Sequence, residues 1–122
     1  KAAVDVVPAA KEPLKPEIDI DTFGKTDLRV GIVLACEKVP KTSKLLKLQI
    51  DLGTEQRQIV SGIAKYYKPE DMVGKHVIVV TNLKPATLFG VESYGMLLAA
   101  SDGNDNLQVI FADSMAAGSR VR

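Results

Sequence analysis

The sequence predicts an all-β domain, a five-stranded barrel with one short helix between its third and fourth strands, flanked by an amino-terminal helix and a carboxyl-terminal extension. Three observations predict it. Apolar residues recur with period two in successive short runs from Leu28 onward. Clusters of Pro, Gly, Asn, Asp and Ser separate those runs. Between the third and fourth runs lies IAKYYKPEDMVGK, the only other stretch with helical character.

The elements follow in order. Residues 18–27, IDIDTFGKTD, predict a short helix with Asp21 as its cap and Phe23 as its apolar anchor. Leu28, Val30, Ile32, Leu34 and Cys36 then alternate with Arg29, Gly31, Val33, Ala35 and Glu37, a first strand. Pro40 and a polar cluster end it. Leu46, Leu48, Ile50 and Leu52 form one face of a second strand, with Lys47, Gln49 and Asp51 on the other. Gly53-Thr54-Glu55 turns the chain into a third strand, Arg57 to Gly62. Ile63, Tyr66 and Tyr67 have helical spacing, Pro69 starts a second turn and Gly74 ends it. His76 to Leu83 is a fourth strand. KPATLFGVESYG reads as a loop and MLLAAS as a fifth strand. After DGND, a sixth strand turns Leu107, Val109 and Phe111 inward and Gln108 outward, and the tail to Arg122 is loop-like. Three strands, a helix and two more strands is the order of an OB-fold barrel. An open β-sandwich is the competing arrangement, and the position of the helix favours the barrel.

The chain has 122 residues with 46% apolar and 25% charged, which suits one domain of about 100–150 residues with an appendage. Residues 1–17 hold three prolines and alternating charges. Each Pro removes a backbone donor, so an extended or disordered linker is expected there, with the domain at 18–122. A start at Lys1 reads as a fragment of a longer chain. No apolar run approaches the roughly 18 residues of a membrane-spanning helix, and no signal peptide is evident. The lone Cys36 excludes an internal disulfide and fits a reducing compartment, so a cytoplasmic location is expected.

The net charge of +1 conceals a division. Residues 25–84 carry eleven Lys and Arg against six acids, whereas the flanks are each acidic. Lys38, Lys41, Lys44 and Lys47 recur around the first hairpin, Arg29 lies on the outward face of the first strand, and Lys75 and Lys84 flank the fourth. In a barrel of this order the first loop and the loop after strand four rise on the same side. Their lysines would line one groove that attracts phosphate, with binding that weakens as salt rises. A solvated strand face is the alternative for Lys47.

Catalytic signals are lacking. No GxSxG, HExxH, GxxxxGK[ST] or GxGxxG occurs, and His76 has no matched nucleophile. Cys36 reads as a small buried hydrophobe. DGNDN lacks the remaining ligands of a calcium loop. No cofactor and no metal site are expected. Tyr66 and Tyr67 read as packing over the barrel end rather than as an RNA patch. Strands two and three hold no aromatic residue, which favours reading a folded nucleic acid by backbone and shape over stacking a string of bases.

Four pieces, DLRVGIV at 27–33, SKLLKLQIDLG at 43–53, QIVSGIA at 58–64 and the NLKP…G.ES.GM.LAAS block at 82–101, together resemble a known family. It is the tRNA-binding domain found at the carboxyl end of many bacterial methionyl-tRNA synthetases, in stand-alone structure-specific tRNA-binding proteins and in the endothelial-monocyte-activating-polypeptide family. The resemblance covers about residues 18–122. It implies a non-catalytic OB-fold that binds tRNA by shape, raises the affinity of an upstream synthetase body for tRNA, and forms a homodimer. No enzyme activity is expected of this fragment, whose parent chain would be a methionine–tRNA ligase. Ser43, Lys44, Asn82, Lys84, Ser93, Met96 and Arg29 match the family's binding positions; Lys41 and Lys47 join them from the charge pattern. Ile20 and Phe23 fall in the family's dimerising segment. The family often has a basic residue at two positions where this chain has Thr87 and Phe89, so two groove charges are missing and a ring able to stack is present. A secretion-type peptide-binding chaperone of the same fold and a purely structural dimerisation module are the alternatives.

Overall fold

The computed structural model describes residues 12–122. Most of the expected linker, residues 1–11, lies outside them; residues 12–19 are exposed and form neither helix nor strand. Helix α1 (Ile20–Phe23) follows, then strands β1 (Leu28–Lys38), β2 (Leu46–Asp51) and β3 (Gln56–Ser61), helix α2 (Pro69–Met72) and strand β4 (His76–Val80). Six short strands complete the chain: β5 (Ala86–Leu88), β6 (Val91–Ser93), β7 (Met96–Leu97), β8 (Ala99–Ser101), β9 (Leu107–Val109) and β10 (Arg120–Val121).

The main sheet runs β3-β2-β1-β4-β7, with β10 added to the start of β1. It curls into a nearly closed OB-like barrel because the chain just after β6 returns to β3, where Tyr94 N donates to Gln58 O at 2.9 Å. The core is aliphatic. Val33, Leu48, Ile50, Ile59, Val77 and Val79 fill the barrel, and Met72 of α2 packs into the same cluster. Each such side chain contributes about 1.5–3 kcal/mol by leaving water.

Several local expectations are corrected. Asp19, not Asp21, caps α1: its backbone is extended and its Oδ1 accepts from Thr22 N at 2.7 Å, while Asp21 lies inside the first turn. The first strand does not alternate strictly. A bulge between Val33 and Ala35 adds one residue, so Val33 is buried while Leu34 is 44% exposed. Bulges bend a strand and change which side chains face in. The stretch from Ile63 is a turn, and the helix spans only Pro69–Met72. The expected loop after strand four is the β5–β6 hairpin. MLLAAS is two strands, because Leu98 N donates to Ile78 O while Ile110 N donates to Leu98 O, passing the chain from β4 to β9. The tail is not all loop: Val121 and Arg120 pair with Leu28 and Arg29.

Gly31 shows how tightly the barrel closes. A Cβ there would stand 2.4 Å from Ile50 Cγ2 and 3.1 Å from Leu52 Cδ2. Gly31→Ala is expected to destabilise the fold by about 1–3 kcal/mol through overpacking. Urea unfolding should show a lower midpoint with an unchanged slope.

Candidate nucleic-acid interface

Two structures carry part of the predicted site, the loop between β1 and β2 and the β5–β6 hairpin. The loop is shaped by its own backbone. Val39 N donates to Leu45 O, Lys44 N donates to Thr42 Oγ1, and Lys44 O accepts from Ala64 N. Val39 and Leu45 turn inward onto Val60 of β3, and Val91 of β6 packs against the same trio. This small satellite core fastens the loop to the hairpin on one side of the barrel. Lys41, Ser43 and Lys44 are exposed there, and Lys84, also exposed, enters the hairpin two residues before β5. Among the described residues none of Lys38, Lys41, Lys44 and Lys84 has an ion-pair partner.

The other predicted residues are placed differently. Lys47 lies on the outer face of β2 with its Nζ 3.0 Å from Glu37. Arg29 stands at the opposite end of β1 from Lys38. Its Nε donates to Asp27 at 3.0 Å and its Nη1 to Gly118 O at 3.3 Å, which ties β1 to the carboxyl-terminal segment. Asn82 Oδ1 accepts from Asp27 N and its Nδ2 donates to Lys25 O, clamping the α1–β1 connection to the end of β4. Ser93 is 4% exposed. Its Oγ accepts from Val60 N at 2.9 Å and donates to Gly95 O at 3.0 Å, so its hydroxyl serves the barrel closure rather than an external ligand. Met96 is half exposed at the start of β7.

Between β3 and the hairpin lies a cleft of about 850 Å³ lined by Gln56, Arg57, Gln58, Leu83, Glu92 and Tyr94 among others. It is not basic. Glu55 at its edge is matched by Arg57 at 2.6 Å, and Glu92 accepts from the Tyr94 hydroxyl at 2.7 Å. Arg57 was not singled out in the sequence, yet it organises this end. Its Nη1 donates to Thr81 O and to Tyr94 O, joining β3 to the chain leaving β4 and the chain leaving β6. The signal was present: Arg57 pairs with Ile50 and shares the phase of Ile59, a charged residue in the core-facing phase of its strand. Gln58 likewise supports the hairpin, donating to Glu92 O at 2.8 Å.

The remaining chemistry-bearing groups are structural. Tyr67 meets Phe111 edge-on and its hydroxyl accepts from Val109 N. Tyr66 donates to Asp105, which also takes Lys65 at 2.8 Å. His76 Nδ1 lies 2.6 Å from Met115 O. Burial, and then Glu37, push the Cys36 thiol up to about 11, so its thiolate is scarce at neutral pH. Among the described residues no group of three His, Cys, Asp or Glu could hold a metal, and no helix is long and apolar enough to cross a membrane.

Comparison with known proteins adds three findings. The family model described as a putative tRNA binding domain matches residues 28–120. The chain is 54% identical to the methionine–tRNA ligase of Clostridium perfringens over 96% of its own length and 19% of that protein's, and 59% identical to that of Methanocaldococcus jannaschii over 87% and 16%. It thus spans less than a fifth of these curated relatives. Among solved structures, a MetRS-related protein from Pyrococcus horikoshii superposes with a TM-score of 0.85 at 41% identity, covering 88% of this chain and all of that one. The chaperone CsaA from Bacillus anthracis superposes at 0.79 with 25% identity, over 88% of this chain and all of that one.

Asp27 offers a test of the clamp at this end of the barrel. The Thr81 hydroxyl foremost, opposed next by burial and then helped by Arg29 and Arg57, holds its carboxyl below the ordinary 3.8. A depressed carboxyl contributes stability that is complete above its unfolded value and lost as pH falls through the folded one. Thr81→Val is expected to raise the Asp27 midpoint toward the ordinary range and to shrink that acid-side loss. A carbon-13 carboxyl titration measures the first, and acid unfolding the second.

Proposed function

The chain belongs to the putative tRNA binding domain family, and from that premise we propose that it binds tRNA without performing chemistry on it. The observation that carries the reading is the satellite core of Val39, Leu45, Val60 and Val91, which gathers the exposed lysine loop and the hairpin on one side of a rigid barrel. Phosphates would be met by Lys41 and Lys44 on the loop and by Lys84 at the hairpin, with Ser43 beside them. Asn82, Arg29, Lys47 and Ser93 would act by holding the backbone and its charges in place. Met96 would lie at the margin. Contacts of this kind position a polyanion by shape.

In the parent protein the domain would stand beside a methionine–tRNA ligase body in the cytoplasm and raise the local concentration of tRNA there. Linking a second binding module multiplies overall affinity through effective concentration. We assign a homodimer to the same reading. Helix α1 has four residues and buries none of them, and Ile20 is 78% exposed. A helix this short has little stability of its own in water. Ile20 and Phe23 border a cleft that also holds Leu28 and Val121, with Asp27, Arg29, Arg120 and Arg122 around these apolar groups, a surface suited to a second copy.

A peptide-binding role is the second reading. It is favoured by the superposition on a chaperone and by the exposed Leu83 and Tyr94 that line the cleft.

Binding titrations over a range of salt separate these readings. Several unrelated tRNAs should be retained, with log affinity falling linearly against log salt. Lys44→Ala and Lys84→Ala should each weaken all tRNAs alike, severalfold at low salt, and lower the slope by about one. Lys11→Ala should change nothing. Absence of any tRNA retention at low salt, together with salt-insensitive capture of unfolded polypeptide, would move the assignment to the chaperone reading. For the dimer, Phe23→Glu should leave the fold intact and shift sedimentation from dimer to monomer; a wild-type chain that sediments as a monomer at high concentration contradicts it.

A further inference from the structure

Phe89 occupies a position that the fold does not justify. Leu88 pairs with Val91, so the hairpin turn contains only Phe89 and Gly90. Their φ angles are +49° and +78°. Two positive φ angles in a two-residue loop are the pattern of a type I′ turn, whose favoured sequences are Asn-Gly and Asp-Gly. Glycine meets that demand freely, whereas a bulky side chain in the left-handed region is a strained outlier. Burial does not compensate the strain, since the Phe89 side chain is 65% exposed and is the most exposed aromatic among the described residues.

The turn is also firmly mounted. Val60 N donates to Ser93 Oγ, Tyr94 N to Gln58 O, and Gln58 Nε2 to Glu92 O, so Glu92, Ser93 and Tyr94 are each bonded to β3. Val91, next to the turn, is seated on Val39, Leu45 and Val60, the residues that also hold the lysine loop. A ring is therefore displayed at a set position relative to Lys41 and Lys44, and little conformational freedom remains to be lost when it meets a flat partner.

We infer that Phe89 is a stacking platform for an unpaired base of the bound RNA. The inference rests on the tRNA reading and deepens it: the loop lysines meet phosphates, and the ring selects for a base that is free of the helical stack. A π-face suits any base, so the contact favours exposed bases over a paired duplex without specifying sequence. It releases no counterion, so it adds affinity without steepening the salt dependence.

The experiment uses the whole chain, a tRNA transcript and a fully paired RNA duplex of similar length. Phe89→Asn gives the turn its preferred chemistry, so the thermal midpoint should rise or hold, while tRNA affinity should fall about tenfold with an unchanged salt slope. Lys44→Ala serves as the contrast, because it should change the slope. The chain contains no Trp, so Phe89→Trp introduces a single reporter. It should keep tRNA affinity, and its fluorescence should be quenched by the tRNA and not by the duplex. If Phe89→Asn binds tRNA within twofold of wild type while Lys44→Ala weakens it, the stacking inference is wrong and the tRNA reading stands. If wild type retains no tRNA at low salt, both fall. If Phe89→Asn instead loses binding of unfolded polypeptide with tRNA unaffected, the ring's partner is a peptide and the inference is overturned.

Discussion

The closure of the free edge of β3 is the constraint on which the outward face depends. An uncovered edge strand presents unpaired backbone groups and invites association with other chains. Here the edge is covered by a segment that pairs with β3 through only part of a ladder. Tyr94 N supplies one bond to Gln58 O, and the buried Ser93 hydroxyl substitutes for a backbone carbonyl in accepting from Val60 N. Leaving that amide without a partner would cost about 1–3 kcal/mol. Gly95 makes the approach possible, since a Cβ there would press on Val80 O at 3.1 Å and on Ile59 Cδ1 at 3.2 Å. Arg57 then fastens the corner from inside by reaching both Thr81 O and Tyr94 O. The hairpin stands where it does because these groups allow no other course for the chain.

Electrostatics follow from this geometry rather than from the total charge. Arg29, Lys47, Arg57, Lys65 and Lys75 each face a carboxylate. Such exposed or half-exposed pairs add little stability, but they remove those cations from the field felt at a distance. The cleft beside β3 holds Glu55 and Glu92 with only Arg57 to balance them. Around this cleft, positive potential is therefore carried by the loop lysines on the rim and not by the floor, which is polar and amide-rich, while Arg120 and Arg122, unpaired among the described residues, stand beside α1. A polyanion resting on the rim would bring phosphates to the loop while presenting bases or loops toward the hairpin.

The barrel was legible in the sequence because its strands obey two strong signals, period-two apolar patterning and turn residues at each break. The departures have particular physical causes. One extra residue near Leu34 inverted the facing of part of β1, and a bulge leaves no mark in composition. The β5–β6 hairpin was hidden because Phe-Gly is a poor turn signal compared with Asn-Gly. Asp21 resembled a cap as closely as Asp19 did, and only the backbone distinguishes them. For the candidate site, charge alone pointed to the lysines of KTSK and to Lys84, all of them exposed in the structure. Ser93 and Asn82 could not be told from surface polar residues, because what defines them is long-range bonding to Val60, Asp27 and Lys25. The core-phase position of Arg57 was readable and marks a strand end where the barrel opens.

Two places in the molecule present apolar side chains to solvent against local rules and without a local reward. Helix α1 is too short to hold itself and presents Ile20 and Phe23 outward. The hairpin turn places a phenylalanine where asparagine would be more stable. Lys41 and Asp105 also take left-handed backbone, at φ +71° and +66°, but as polar loop residues, and no buried side-chain nitrogen or oxygen lacks a partner among the described residues. Sequences that specify one fold tend to be consistent across these levels, with violations gathered at sites of function. The two violations differ in kind. The first exposes Ile20 and Phe23 at a cleft that Arg120 and Arg122 also line, which suits a protein surface that is apolar at its centre and can meet cations at its margin. The second sets a flat ring beside cations without counterions, which suits a ligand that is both anionic and aromatic. That combination describes a nucleic acid better than a polypeptide.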